Sequence, residues 1–147
     1  MRILGLDLGS KTIGVALSDE LGYTAQPLTA LARRGGNRDM EAVAALVREY
    51  EAEKIVLGLP LKMNGSLSPA AEQVQDFGQR LAEFVAAGGL AAEVVYWDER
   101  WSTVTAERVL IQADLSRARR KKVIDKLAAS VILQGYLDRL AVQGKDG

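Results

Sequence analysis

The chain has no cysteine and no histidine among its 147 residues. Without cysteine there is no disulfide, no thiolate nucleophile and no zinc–thiolate site. Without histidine there is no Ser-His-Asp triad, no imidazole general base and no imidazole metal ligand. Any bound metal must be held by oxygen atoms, a donor set that suits Mg2+ or Mn2+. Net charge is missing too: 19 Lys and Arg balance 19 Asp and Glu, so total charge does not mark out a nucleic-acid binder. No apolar run approaches the ~20 residues of a membrane span. An apolar strand follows Met1 almost at once, so no signal or transit peptide is expected. What is present is a length and a 48% hydrophobic content that suit one globular domain over residues 1–147.

The opening stretch, Arg2 to Leu17, reads as two strands joined by a polar turn. Ile3, Leu4, Leu6 and Leu8 form a near-continuous apolar run, the pattern of a strand covered on both faces. Ile13, Val15 and Leu17 alternate with smaller residues, and Gly9-Ser10-Lys11-Thr12 is turn chemistry. Asp7 breaks the pattern. A carboxylate in a central strand is costly to bury unless a cation or hydrogen bonds meet it.

Further along, residues 23–31 read as a third strand, with Pro27 marking an edge or an irregularity. Asn37 is an expected N-cap for a helix carrying Met40, Val43, Val47 and Tyr50. Residues 54–59 are a short apolar strand, followed by a polar loop over 60–67. Ser68-Pro69 opens a helix whose apolar stripe is Val74, Phe77, Leu81, Phe84 and Val85. Residues 93–97 form a fifth strand ending at Asp98-Glu99-Arg100. Ser102 or Thr103 is expected to cap a short helix with Ala106, Val109 and Leu110; residues 113–122 read as a charged, mobile stretch. A final helix is expected from about Val123 to Val142. The order predicts an α/β fold with a mixed five-stranded sheet: three antiparallel strands, then two parallel ones, flanked by helices.

Three acidic positions stand out. Asp7 is one. Asp98 and Glu99 lie at the carboxyl end of a parallel strand, the edge where open α/β sheets bind ligands. Strand alternation lets only one of them share the face of Asp7, and the pattern does not say which. Asp125 shares a helical stripe with Ala128, Ala129, Ile132 and Tyr136, which places it on a packing face. Each has a plainer reading. Asp7 can accept turn amides, Asp125 can favour a helix N-terminus, and Asp98-Glu99-Arg100 can be a local ion pair. Taken together, carboxylates from separate parts of a histidine-free chain suit one chemistry: divalent cations that activate water against a phosphodiester. Beside Asp125 lies a basic run, Arg117, Arg119, Arg120, Lys121, Lys122 and Lys126, fitted to meet phosphates or simply to be solvated. Lys11 and Arg100 are further candidates for phosphate contact, and Arg33, Arg34 and Arg38 form a weaker basic group. Trp101 is placed to stack on a base or to pack under its loop.

Four segments carry a resemblance. Residues 6–16 (LDLGSKTIGVA), 58–65 (GLPLKMNG), 98–103 (DERWST) and 124–129 (IDKLAA) resemble, in order, the motifs of the YqgF/RuvX family of ribonuclease-H-like nucleases. The family pattern usually has Arg at Thr12, Leu-Thr-Thr at Trp101-Ser102-Thr103, and related resolvases carry an acid in the fourth strand that this chain lacks. The resemblance implies a ribonuclease-H-like fold and a cytoplasmic nuclease that uses Mg2+ or Mn2+, in a two-metal site. It implies Asp7, Asp125 and one acid of the DER segment as metal ligands and catalytic groups, Glu99 preferred over Asp98. It implies as substrate either four-way DNA junctions or the 5′ end of pre-16S rRNA. Symmetric cutting of a junction would also imply a homodimer. Two other classes compete. Asp7-Leu8-Gly9-Ser10 is similar to the phosphate hairpin of actin-like ATPases, which clamp nucleotide between two domains. A non-catalytic nucleic-acid-binding assembly factor would keep the acids as relics.

Overall fold

The computed structural model describes residues 2–101 and 117–146, with side chains described over 2–100 and 127–142. Strands β1 (Arg2–Leu8), β2 (Thr12–Ser18) and β3 (Ala25–Ala32) form a meander. Then come helix α1 (Gly36–Tyr50), strand β4 (Ala52–Leu59), helix α2 (Pro69–Ala87) and strand β5 (Glu93–Asp98). A 3-10 turn covers Glu99–Trp101, and the last helix, α3, spans Arg117–Asp146. The sheet order is β3-β2-β1-β4-β5. The first three strands are antiparallel, and β4 and β5 run parallel to β1. This is the mixed five-stranded sheet that the sequence predicts.

Sequence and backbone agree at several points for identifiable reasons. Pro27 lies on the edge strand β3, opposite the register shift at Val15/Ala16, where a missing N–H costs no interior ladder bond. The Ser68 hydroxyl accepts the Ala71 N–H at 3.0 Å and Pro69 begins α2, an N-cap followed by a proline with no N–H to orphan. Past α2, Gly89 takes a φ of 77°, which ends the helix at low cost.

Two start signals differ from expectation. Helix α1 begins at Gly36, so Asn37 lies inside the first turn and does not cap it. The buried carboxylate of Asp39 instead accepts the N–H groups of Arg34 and Gly35, at 2.8 and 3.3 Å, and so does the capping from within the helix. Helix α3 begins at Arg117, earlier than the expected Val123, so residues 117–122 of the charged stretch are helical. Arg, Lys and Ala are good helix formers, so the backbone there needs no apolar periodicity to be helical. The expected short helix around Ala106, Val109 and Leu110 lies outside the described residues.

Core packing sorts the sheet into two faces. On one, Leu4, Leu6, Ile55 and Leu57 meet Val43 and Val47 of α1 and Val74, Phe77 and Leu81 of α2. On the other, Ile3, Val56 and Trp97 meet Ala129, Ile132, Leu133 and Leu137 of α3. Gly5 lets α3 come close: a Cβ there would lie 2.7 Å from Leu133 Cβ and 3.1 Å from the Ala129 carbonyl oxygen. Residues 3, 5 and 7 alternate onto one face, so β1 presents Asp7 on the α3 side, beyond Gly5. Among the described residues no helix is long and apolar enough to cross a membrane.

Candidate active site

Because β1, β4 and β5 are parallel neighbours, their carboxyl ends share one edge of the sheet. Leu6 pairs with Leu57, and Gly58 pairs with Trp97. Asp7 therefore stands level with Gly58 and Trp97, with Glu99 just past the end of β5. This is the strand edge at which open α/β sheets place their ligand chemistry.

The structure separates Asp98 from Glu99. Trp97 packs toward α3, whereas Tyr96 faces α2, its hydroxyl 3.3 Å from the Gln75 carbonyl oxygen. Asp98 follows the Tyr96 parity and is engaged by its neighbour. Its carboxylate takes Arg100 Nη2 at 2.6 Å, Arg100 Nε at 3.0 Å, and the Arg100 N–H at 3.0 Å. Those Arg100 side-chain bonds outweigh the cost of burial and hold the Asp98 carboxyl below its ordinary value. Glu99 follows the parity of Trp97. Its Oε1 lies against Gly58, only 2.5 Å from where a Cβ on that glycine would be, alongside Ile132 Cδ1 of α3. Burial there, with the negative charges of Asp7 and Asp98 added, pushes the Glu99 carboxyl up from 4.5 to about 7.

Two acids are thus brought into electrostatic contact, Asp7 and Glu99, while Asp98 is committed to an ion pair. Among the described residues no group of three or more carboxylates close enough to hold a metal ion occurs. Asp125, the third sequence candidate, lies in α3 one turn before Ala129, and its side chain is outside the described residues. Because α3 starts at Arg117, Asp125 is more than two turns inside the helix. The helix-dipole explanation for an acid there fails, since that effect fades within the first turn.

Of the basic candidates, Lys11 is exposed on the β1–β2 turn. Arg100 is spent on Asp98 and on the Met63 carbonyl, 3.2 Å from Nη1. Arg117, Arg119, Arg120, Lys121, Lys122 and Lys126 all belong to α3, and their side chains, like that of Trp101, lie outside the described residues. Arg33, in the weaker basic group, is held inside: Nε bonds Asp39 Oδ2 at 2.9 Å, Nη1 bonds the Gly9 carbonyl at 2.7 Å, and the guanidinium lies 5.6 Å from the Phe77 ring centre. Burial pushes the Asp39 carboxyl up, but the bonds from Arg34, Arg33 and Gly35 together hold it below its usual range. This brace pins the turn that follows Asp7.

One contributor escaped the sequence reading. Gly58 makes the room that Glu99 occupies, and a glycine in an apolar strand run gives only a weak signal of close approach.

The donor chemistry at this edge fits a hard divalent cation. The donors are oxygens, and two carboxylates are held close enough for one to raise the other's pKa, a cost that a cation between them would remove. Comparison with known proteins then locates the chain. The family model for RuvX, Holliday junction resolvase, matches residues 1–139. A Moorella thermoacetica protein is 57% identical over 144 residues, covering 98% of this chain and 99% of its own length. A Clostridium kluyveri protein is 52% identical over 141 residues, covering 96% and 99%. Both carry the provisional name pre-16S rRNA nuclease. Among solved structures, T. thermophilus RuvC in complex with Holliday junction substrate aligns with a TM-score of 0.60 over 96% of both chains, at 16% identity. That last likeness is one of fold.

Proposed function

The chain belongs to the RuvX family, and from that premise we propose that it is a divalent-metal-dependent endonuclease acting on structured nucleic acid. The observation that carries the reading is the placement of Asp7 and Glu99 together at the carboxyl edge of the parallel strands, where burial first, and then the charges of Asp7 and Asp98, raise the Glu99 carboxyl to about 7. Asp7, Glu99 and Asp125 are the proposed catalytic and metal-holding residues, with Asp98 assigned to positioning. Mg2+ or Mn2+, bound singly or as a pair, would supply water activation and charge stabilisation at the scissile phosphate.

The chain's own residues have defined tasks in this reading. The Asp98–Arg100 ion pair fixes the turn that presents Glu99. Gly58 leaves the carboxylate its place, and α3 closes the site's far side through Ile132. The Arg33–Asp39 brace holds the Gly9 turn after Asp7. Lys11 and the basic residues of α3 would neutralise incoming phosphates.

Two substrates are supported. The family description favours a four-way DNA junction, and the name borne by relatives of 50–57% identity favours precursor 16S rRNA. Junction cutting brings with it a homodimer, since two symmetric incisions are needed. Either substrate fits a single nuclease domain over residues 1–147 working in the cytoplasm.

A side-by-side assay decides. A labelled four-way junction and a pre-16S 5′-leader RNA are each incubated with Mg2+ or Mn2+, and with EDTA. Metal-dependent cutting of either supports the nuclease reading, and which one is cut names the substrate. Binding of both with cutting of neither would transfer the chain to the non-catalytic assembly class.

A further inference from the structure

Strand β3 is one of the two outer strands of the sheet, and it is guarded along only half its length. The first half is closed twice. The Ala25 N–H donates to Gln134 Oε1 of α3 at 2.9 Å, and Gln134 Nε2 donates to the Tyr23 carbonyl at 3.0 Å. One side-chain amide thus stands where the peptide of a neighbouring strand would. Pro27, two residues on and facing the same way as Ala25, has no N–H to offer. Beyond the register shift at Val15/Ala16 the guard stops. The Arg33 N–H bonds the Lys11 carbonyl at 2.8 Å, so by alternation Leu31 and Thr29 also face β2, and Ala30 and Ala32 turn their N–H and C=O groups outward. Among the described residues nothing bonds those outward groups. The segment Leu28–Ala32 carries no charge, and Leu28 and Leu31 are only half-buried against the α1–α2 core. An uncharged edge with open donors and acceptors is a template for another strand.

Register narrows the occupant to a second copy of this chain. A two-fold axis normal to the sheet pairs an edge strand antiparallel with itself. Centred on Ala30, it sets Leu28 against Ala32 and Ala30 against its own counterpart, and so uses the outward groups of both alanines. Centred on Leu28, it would draw Pro27 into the ladder. Centred on Ala32, it would draw in residues 33–36, where Gly35 and Gly36 have φ values of 86° and 55° and the chain turns into α1. Ala30 also lies level with the site, because it pairs with Gly14, and Gly14 pairs with Asp7. A two-fold at Ala30 therefore puts both copies of Asp7 on one row, five strand spacings or about 24 Å apart. Rotation about the sheet normal leaves the faces unexchanged, so both stay on the α3 side. Resting on the nuclease reading, we infer that Leu28–Ala32 is the homodimer face, pairing with itself about Ala30 and setting two Asp7–Glu99 edges in two-fold symmetry for incision of two strands. So short a strip covers less than the roughly 800 Å² per partner of a standard interface. The dimer is accordingly weak, and forms most readily when two copies share one substrate.

The chain has no cysteine, so one introduced thiol reports the pairing without background. Opposed Ala30 Cα atoms would lie about 5.5 Å apart, inside the span of a disulfide. Ala30→Cys is compared with Gln26→Cys, an exposed position on the same strand that the register sets opposite residue 34. Both full-length proteins are mildly oxidised in EDTA, free and on an uncut four-way DNA junction, and linked dimer is read on a non-reducing gel. Ala30→Cys should link about tenfold faster or more than Gln26→Cys, and fastest on the junction, because only it meets the distance requirement. Equal rates, or no linkage, overturn the interface and leave the nuclease reading standing. Ala30→Pro removes an outward N–H and no bond to β2. Its urea midpoint and Mn2+ affinity should therefore match the wild type, while sedimentation on the junction shows one copy bound in place of two. Two bound copies of Ala30→Pro would overturn the interface. Rapid linkage of Ala30→Cys, with no cutting of junction or RNA by the wild type in Mg2+ or Mn2+, would keep the edge pairing and overturn the nuclease reading.

Discussion

Replacing Glu99 by Gln should make the metal-free protein more stable at pH 8, although it removes a proposed catalytic group. The Glu99 carboxyl sits near 7 in the fold against 4.5 for an ordinary glutamate. Its folded value is raised, so its stabilising contribution is complete below about 4.5 and is lost as the pH climbs through about 7. Above 7 the fold carries an ionised carboxylate beside Asp7. The full shift corresponds to a ceiling of ~3.4 kcal/mol. Glu99 is only partly buried, and solvent screening reduces that to roughly 1.5–2 kcal/mol. An amide in its place carries no charge, so Glu99→Gln should gain about that much at pH 8 and only a few tenths of a kcal/mol at pH 5. The window is unusually clean. The chain has no histidine, and the lowered carboxyls of Asp39 and Asp98 finish titrating below it. Urea denaturation of both proteins in EDTA, at pH 5, 6.5 and 8, reads the effect directly. A variant no more stable than wild type at pH 8, or a gain that is the same at pH 5, would refute the desolvated pairing of Glu99 with Asp7.

Other expectations follow from the packing. Gly58→Ala puts a methyl 2.5 Å from Glu99 Oε1 and Ile132 Cδ1; both are ends of flexible side chains, so urea midpoints should move little, while Mn2+ affinity by calorimetry falls about tenfold or more as Glu99 is displaced. Gly5→Ala meets Leu133 Cβ at 2.7 Å and the Ala129 carbonyl at 3.1 Å; helix backbone cannot step aside, so denaturation should show a loss of about 2–3 kcal/mol. Asp39→Asn weakens a buried acceptor of three backbone and side-chain donors, with an expected cost of about 1–3 kcal/mol at pH 7. Because the folded Asp39 value is lowered from 3.8, that advantage exists above 3.8 and disappears as the pH falls through the folded value, so the two proteins should converge in acid unfolding.

Much of the scaffold was legible because local chemistry and tertiary placement agree. The β1–β2 hairpin, the edge position of Pro27 and the Ser68-Pro69 helix start each follow from a rule acting over a few residues. The choice between Asp98 and Glu99 was not legible. Alternation limits that face to one acid, but its phase depends on Trp97 packing against α3, with a glycine at 58 leaving the space. The cap of α1 was misplaced because Asp39, from inside the helix, does the work assigned to Asn37. Arg33 looked like part of a phosphate-binding group for the same reason: charge is visible in a sequence, but the buried partner that consumes it is not. Residues 117–122 carry no apolar stripe, so periodicity gives no helix signal there, and only the helix propensity of Arg, Lys and Ala marks them as helical.

The central claim is that Asp7 and Glu99 together hold a divalent cation. Calorimetric titration of Mn2+ at pH 8 into the wild type, Asp7→Asn and Glu99→Gln tests it most directly. The account predicts binding by the wild type, weakened about tenfold or more in each variant, as loss of a charged ligand from such a site requires. Equal Mn2+ binding by all three proteins would contradict it.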